Sequence, residues 1–176
     1  MEKILITGGC SGIGLETVKI LLEKTNYHLL ISYNKTKAPK EIIENKRIEI
    51  IKADLSTFGG GELLASKVIE ENHDIKGICL CHGMNKPSGI EDTNESDFNL
   101  ILNNNLSSIY GFFSLLVGKL KNLKSVVLIS SFCGLVGGPK TAHYAISKAG
   151  LDTLALNLSR RLGETGTRVN SVAPGY

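Results

Sequence analysis

Nowhere in this chain of 176 residues does an apolar run reach the roughly 18–20 positions that a membrane-spanning helix requires. Its start carries no basic stretch leading into a signal-like apolar core, so a cytoplasmic protein is expected. Charge is sparse too: 20 basic against 17 acidic side chains leave +3, too small and too dispersed for a nucleic-acid surface. The four cysteines, Cys10, Cys79, Cys81 and Cys133, lack the paired spacing of a zinc site. They read as reduced thiols, and no metal is expected. With no repeats and no low-complexity tails, one domain over 1–176 with a sizeable core is the expected organisation.

What is present is an alternation of strand-like and helix-like stretches, the signature of a parallel sheet covered on both faces. Strands are expected at 3–7, 28–32, 48–52, 75–81, 125–130 and 168–172, and helices at 13–24, 60–72, 95–120 with room for a break, and 144–163. Polar composition and Pro39 make Asn34 to Asn45 a loop with at most a short helix.

The amino-terminal run Lys3-Ile4-Leu5-Ile6-Thr7 suits a buried strand, and glycines at 8, 12 and 14 follow it directly. Beyond Gly14 an amphipathic helix carries Ile13, Val18, Leu21 and Leu22 on one side. Glycines between a strand and a helix let the backbone approach a pyrophosphate, and the helix start offers free N–H groups to it. The spacing is Gly-x-x-x-Gly-x-Gly rather than the common Gly-x-Gly-x-x-Gly.

Tyr144 and Lys148 stand four residues apart, and Ser131 lies upstream of them. Residues i and i+4 share a helix face, so the phenol and the ammonium address the same ligand. A free phenol titrates near pH 10, and a neighbouring cation favours its ionised form, which brings such a group towards general acid–base work.

Together these residues resemble the classical short-chain dehydrogenase/reductase family over the whole chain, Lys3 to Tyr176, and are similar to its 3-oxoacyl-(acyl-carrier-protein) reductases. Thr7, Gly8, Gly12, Ile13 and Gly14 match the family's glycine motif, and Asn105, Ser131, Tyr144 and Lys148 its catalytic tetrad, with Asn103 and Asn104 as alternatives to Asn105. Further landmarks are Asp54-Leu55, Ile129-Ser130-Ser131 and the stretch Arg168 to Gly175. Ser11 stands where the extended branch, with its sugar-nucleotide epimerases, has a glycine. The resemblance implies a Rossmann-like doubly wound parallel sheet and a ketone–alcohol oxidoreductase working by hydride transfer. A catalytically silent subunit of the same fold is the competing reading. It also implies a dinucleotide held by Gly8, Cys10, Ser11, Gly12, Ile13, Gly14, Tyr33, Asn34, Lys35, Asp54, Leu55, Gly83, Tyr144, Lys148, Pro174 and Gly175.

At the end of the second strand an NAD enzyme of this type carries an acid for the ribose hydroxyls, whereas this chain has Tyr33-Asn34-Lys35, which favours NADP over NAD. Asp54 is placed near the adenine or, alternatively, as a cap on the turn after the third strand. The resemblance further implies that Tyr144 exchanges the proton, Lys148 holds the ribose, Ser131 orients the carbonyl and Asn105 positions a water. Members of the family assemble as dimers or tetramers, and the apolar residues around 98–120 and 144–163 suit such a bundle.

Two departures stand out. Where the family has Asn-Asn-Ala-Gly, this chain has Leu80-Cys81-His82-Gly83, so the amides that tie neighbouring strands are missing and His82 is expected to pack rather than react. Family members also continue beyond Pro174-Gly175-Tyr176 into a substrate lid and a last strand, so a carboxyl-terminal part is expected to be missing.

Overall fold

The computed structural model describes residues 1–71 and 74–175. Six strands, β1 (Lys3–Thr7), β2 (His28–Tyr33), β3 (Ile48–Lys52), β4 (Ile75–Leu80), β5 (Ser125–Ile129) and β6 (Arg168–Val172), form one parallel sheet. Their order is β3-β2-β1-β4-β5-β6, so the chain's winding direction reverses between β1 and β4. The carboxyl ends of those two strands are where an open α/β sheet leaves a crevice.

Alternation along the central strands explains why both faces need cover. Leu5 and Leu30 enter a core with Leu64, Val68, Ile78, Phe112, Leu128 and Leu151, whereas Ile6, Leu29 and Ile31 point the other way onto Val18 and Ile42. The second layer is supplied by α1 (Gly12–Lys24) and the four-residue α2 (Lys40–Ile43). The first is supplied by α3 (Phe58–Glu70), α5 (Ser108–Leu116) and α7 (Ala142–Gly163). Close contact of α3 with α5 depends on two glycines: a Cβ at Gly61 would stand 1.8 Å from the Ser108 carbonyl oxygen, and one at Gly111 2.2 Å from that of Phe58.

The expected strands and helices are all present, with shifted ends. β2 continues to Tyr33, while β4 and β5 stop at Leu80 and Ile129. The third helix starts at Phe58 because Thr57 caps it, its side chain accepting from Gly60 N at 3.0 Å. The expected 95–120 helix is three pieces: α4 (Glu95–Leu102), capped by Asn94, a π-helical turn (Asn103–Ser107), and α5. It ends at Leu116 because the chain turns at Gly118, whose φ is +80°. A short α6 (Cys133–Val136) follows β5 and was not legible from periodicity. Among the described residues no helix is long and apolar enough to cross a membrane.

Candidate active site

Thr7 ends β1, and the backbone reverses through Gly8 and Gly12, with φ of +64° and +51°. Both angles lie where glycine is at no disadvantage. A Cβ at Gly14 would sit 2.3 Å from the Gly8 carbonyl oxygen, so α1 meets the turn at this distance only with glycine there. Ser11 makes no side-chain cap bond and the first turn holds no acid, which leaves the leading amides of α1 for a ligand. They open on a cleft of about 350 Å³ lined by Gly8, Cys10, Ser11, Gly12, Ile13 and residues of the β2 and β4 ends. In its wall the Asn104 Oδ1 is buried and has no partner among the described residues. This turn therefore fits a dinucleotide pyrophosphate, with a polar atom in reserve for the rest of the ligand.

Tyr33, Asn34 and Lys35 line the same cleft. Asp54 is engaged elsewhere: its Oδ1 accepts from Asn34 Nδ2 at 2.9 Å and from Ser56 N at 3.1 Å, so it caps the turn after β3. The cleft wall at that point is Ala53 and Leu55.

Ser131, Tyr144 and Lys148 share a second pocket of about 330 Å³ with Gly83, Pro174 and Gly175. Ile13, Cys81, Gly83 and Met84 line both cavities, so the two are lobes of one crevice. The Lys148 Nζ lies 5.6 Å from the Tyr144 ring centroid and donates to the Ile129 carbonyl oxygen at 2.7 Å. Lys148 is buried, and desolvation pulls its pKa down to about 8. A Cβ at Gly83 would approach its Nζ to 3.3 Å, which explains a glycine there. Ser131 Oγ accepts from Cys133 N at 3.2 Å, a turn contact that fixes the side chain at the pocket wall.

Asn105 sits in the π-helical turn and is fully buried. Its amide is spent on protein partners. Nδ2 donates to the Met84 carbonyl at 2.9 Å and to Ser147 Oγ at 3.0 Å, and Oδ1 accepts from Met84 N at 2.8 Å. The side chain thus ties the segment after β4 to α7 between Tyr144 and Lys148.

At the β4 end, the expected loss of the strand tie is corrected by the structure. His82 bridges instead: Nδ1 is 2.7 Å from Thr7 Oγ1, and Nε2 is 3.1 Å from Ser108 Oγ. Thr7 Oγ1 accepts from Cys81 N, and Ser108 Oγ donates to the Asn104 carbonyl. Each hydroxyl has one proton to give, so the ring must carry hydrogen on Nε2 and accept at Nδ1. Burial and the Lys148 charge hold its pKa down at about 3, consistent with a neutral tie rather than an acid or base. Thr7 and Ser108 were not read as its partners from the sequence, since the contacts span 75 and 26 residues.

With this geometry in hand, the comparisons with known proteins are decisive. The profile of the family described as short chain dehydrogenase matches residues 2–176. The chain belongs to that family. A short-chain dehydrogenase/reductase, aba4, of Botryotinia fuckeliana is 30% identical over 98% of this chain and 70% of its own length. The 3-oxoacyl-(acyl-carrier-protein) reductase FabG of Chlamydia pneumoniae is 24% identical over 99% and 73%. Among solved structures, a short chain dehydrogenase family protein from Francisella tularensis superposes with a TM-score of 0.86 at 26% identity, covering 100% of this chain and 70% of that one. This short chain dehydrogenase is an NAD(P)-dependent oxidoreductase with a Rossmann-like sheet, whose crevice lies at the β1–β4 crossover.

Proposed function

We propose that the protein interconverts a ketone and a secondary alcohol, with a 3-oxoacyl thioester as the substrate class, and that Tyr144 is its acid–base group. One observation carries this reading: Tyr144, Lys148 and Ser131 line a single pocket that opens into the glycine-turn cleft. The substrate class rests on similarity to the reductase of Chlamydia pneumoniae. When bound, the nicotinamide supplies or accepts the hydride. Tyr144 gives its phenolic proton to the carbonyl oxygen in reduction and takes it back in oxidation. Lys148, positively charged below about pH 8, holds ribose hydroxyls beside the Tyr144 ring. Ser131 donates to the substrate carbonyl, and Asn105 acts as a positioning residue through Met84 and Ser147. Replacing Tyr144 by Phe removes only the hydroxyl. Turnover should fall by roughly 10²–10⁴ while dinucleotide binding persists, and turnover within tenfold of wild type rejects the assignment.

NADP is the proposed cofactor, because Lys35 lines the cleft beside Tyr33 and Asn34 while Asp54 is held by Asn34 and Ser56. Fluorescence titration should show NADPH binding more tightly than NADH, and Lys35→Ala should narrow the gap by about 1–2 kcal/mol. Equal affinities in the wild type overturn the preference.

A twofold dimer through α5 and α7, a homodimer or half of a homotetramer in a cytoplasmic enzyme, is proposed on the same footing. Ile109, Phe112, Leu116, Leu151 and Leu158 are consumed by the core, yet Tyr110, Leu115 and Leu156 remain exposed on these helices. Light scattering that finds a monomer at micromolar concentration refutes it.

A further inference from the structure

Cys79 and Cys81 lie two apart at the end of β4, so their side chains share one face, and their sulfurs are 3.3 Å apart. All four cysteines of the chain are free thiols, but only Cys81 lines both lobes of the crevice. Cys79 sits behind it, packed against the core of Ile6, Val18 and Ile31. The pair is therefore one thiol at the ligand surface with a second in contact behind it, a layout the hydride-transfer chemistry does not use.

We propose that Cys79 and Cys81 form a dithiol modification site in the dinucleotide cleft, closed to an internal disulfide by low-molecular-weight disulfides and reopened by dithiols. One proton of the pair leaves to water, Cys81 passes the other across the S···S contact to Cys79, and the Cys81 thiolate attacks one sulfur of the small disulfide. That S–S bond breaks, a mixed disulfide forms on Cys81, and one small thiolate leaves. Cys79 then gives its proton to that thiolate and attacks the Cys81 sulfur, expelling the second small thiolate, which is protonated by water. Two electrons leave the cysteine pair, and the oxidant is reduced to two thiols. The hydrogen bond between the sulfurs leaves the pair sharing one proton, lowering the Cys79 pKa and raising that of Cys81, so the attack by Cys81 requires that shared proton to cross the 3.3 Å contact.

Backbone geometry sets the character of the bond. In a parallel strand, Cα atoms two residues apart stand about 6.6 Å from each other. This is the upper edge of the roughly 4.4–6.8 Å that disulfides accept, so the bond is reducible rather than structural. Closure also reaches the dinucleotide. Gly8 is packed on this backbone, and a Cβ there would lie 3.1 Å from His82 N and 3.4 Å from the Cys81 carbonyl carbon. Drawing Cys81 towards Cys79 therefore disturbs both the crevice wall and the turn.

The test treats the reduced protein with oxidised glutathione and follows NADPH binding by fluorescence and thiol state by peptide mass spectrometry. Wild type should lose about tenfold or more in affinity, its peptide carrying both cysteines should lose two hydrogens, and dithiothreitol should restore it. Bound NADPH should slow the reaction. Cys79→Ser should bind NADPH as before and accumulate glutathione on Cys81, with Cys79→Ala as the second variant if the first does not fold. The proposal is overturned if both thiols remain alkylatable after oxidation, if Cys81 is found joined to Cys10 or Cys133, or if the Cys79 variants still form the internal bond's mass signature.

Discussion

β1 and β4 end side by side at the crossover, yet they meet the ligand with different materials. On the β1 side the surface is backbone: Gly8 and Gly12 turn it, and Gly14 lets α1 close on it. On the β4 side the surface is held by side chains, with His82 spanning Thr7 and Ser108, and Asn105 spanning Met84 and Ser147. The first construction is sensitive to atoms added at Gly8 and above all at Gly14, and the second to partners removed. Glycine spacing is written locally in the sequence; a hydrogen-bond relay between distant positions is not.

The sharpest way to break this contrast is Gly14→Ala. Its methyl group would meet the Gly8 carbonyl oxygen at 2.3 Å, backbone that has nowhere to move without opening the turn. Dinucleotide binding should fall below detection, and stability should drop by at least the roughly 1–3 kcal/mol of ordinary overpacking. Calorimetric titration showing near-native affinity would put the phosphate site elsewhere.

Lys148 sharpens the β4 side through its pH response, because Gly83 and Ile129 hold the ammonium in a poorly solvated place. Its folded pKa of about 8 lies below the ordinary 10.5, so between those values the unfolded chain binds more protons and stability rises with pH. Relative to Lys148→Met, wild type should gain up to about 3 kcal/mol across that window. Dinucleotide affinity should move oppositely, weakening as the ammonium is lost above about pH 8. Urea denaturation and fluorescence titration over the same series check both signs.

A smaller loss is expected at the relay itself. His82→Ala leaves the buried Thr7 hydroxyl proton without its acceptor, at about 1–3 kcal/mol, while Ser108 loses one of its bonds but keeps that to the Asn104 carbonyl. Chemical denaturation should show that drop together with weaker turnover, because Ser108 also holds the Asn104 carbonyl in the π-helical turn beside Asn105. Unchanged stability would mean that water replaces the imidazole and that the tie is dispensable.

The same contrast decides how far the sequence could be read. All six strands, the glycine turn and the Tyr144–Lys148 pairing follow from local periodicity and spacing, and each is where those signals place it. The long helix ends at Leu116 ahead of the turn at Gly118, and the break allowed within 95–120 falls at Asn103, whereas the turn of α6 carried no periodic signal. Asn105 was legible as a position but not as a tie, since the distance to Ser147 is 42 residues. His82 was legible only as a departure from a pattern. Its replacement partners, a threonine in the turn and a serine one helical turn after Asn104, are common residues without any marking pattern.

The least effect, and the most selective, is expected in mild acid. The relay fixes His82 with hydrogen on Nε2 and an acceptor at Nδ1, so a second proton would set two donors against each other at Thr7. Folded His82 refuses that proton down to about pH 3, whereas the unfolded chain takes it near 6.5. Below 6.5 the unfolded state therefore binds more protons, and this contribution to stability is lost as pH falls. Near pH 5.5 the loss is about 1 kcal/mol. His82→Gln keeps one donor and one acceptor but cannot titrate. Comparing the two proteins between about pH 7.5 and 5.5 cancels the remaining histidines, and the wild type should lose about 1 kcal/mol more than the variant. Parallel losses would mean that His82 accepts its proton in the folded state, with Thr7 turned to donate elsewhere and the relay broken at its first bond.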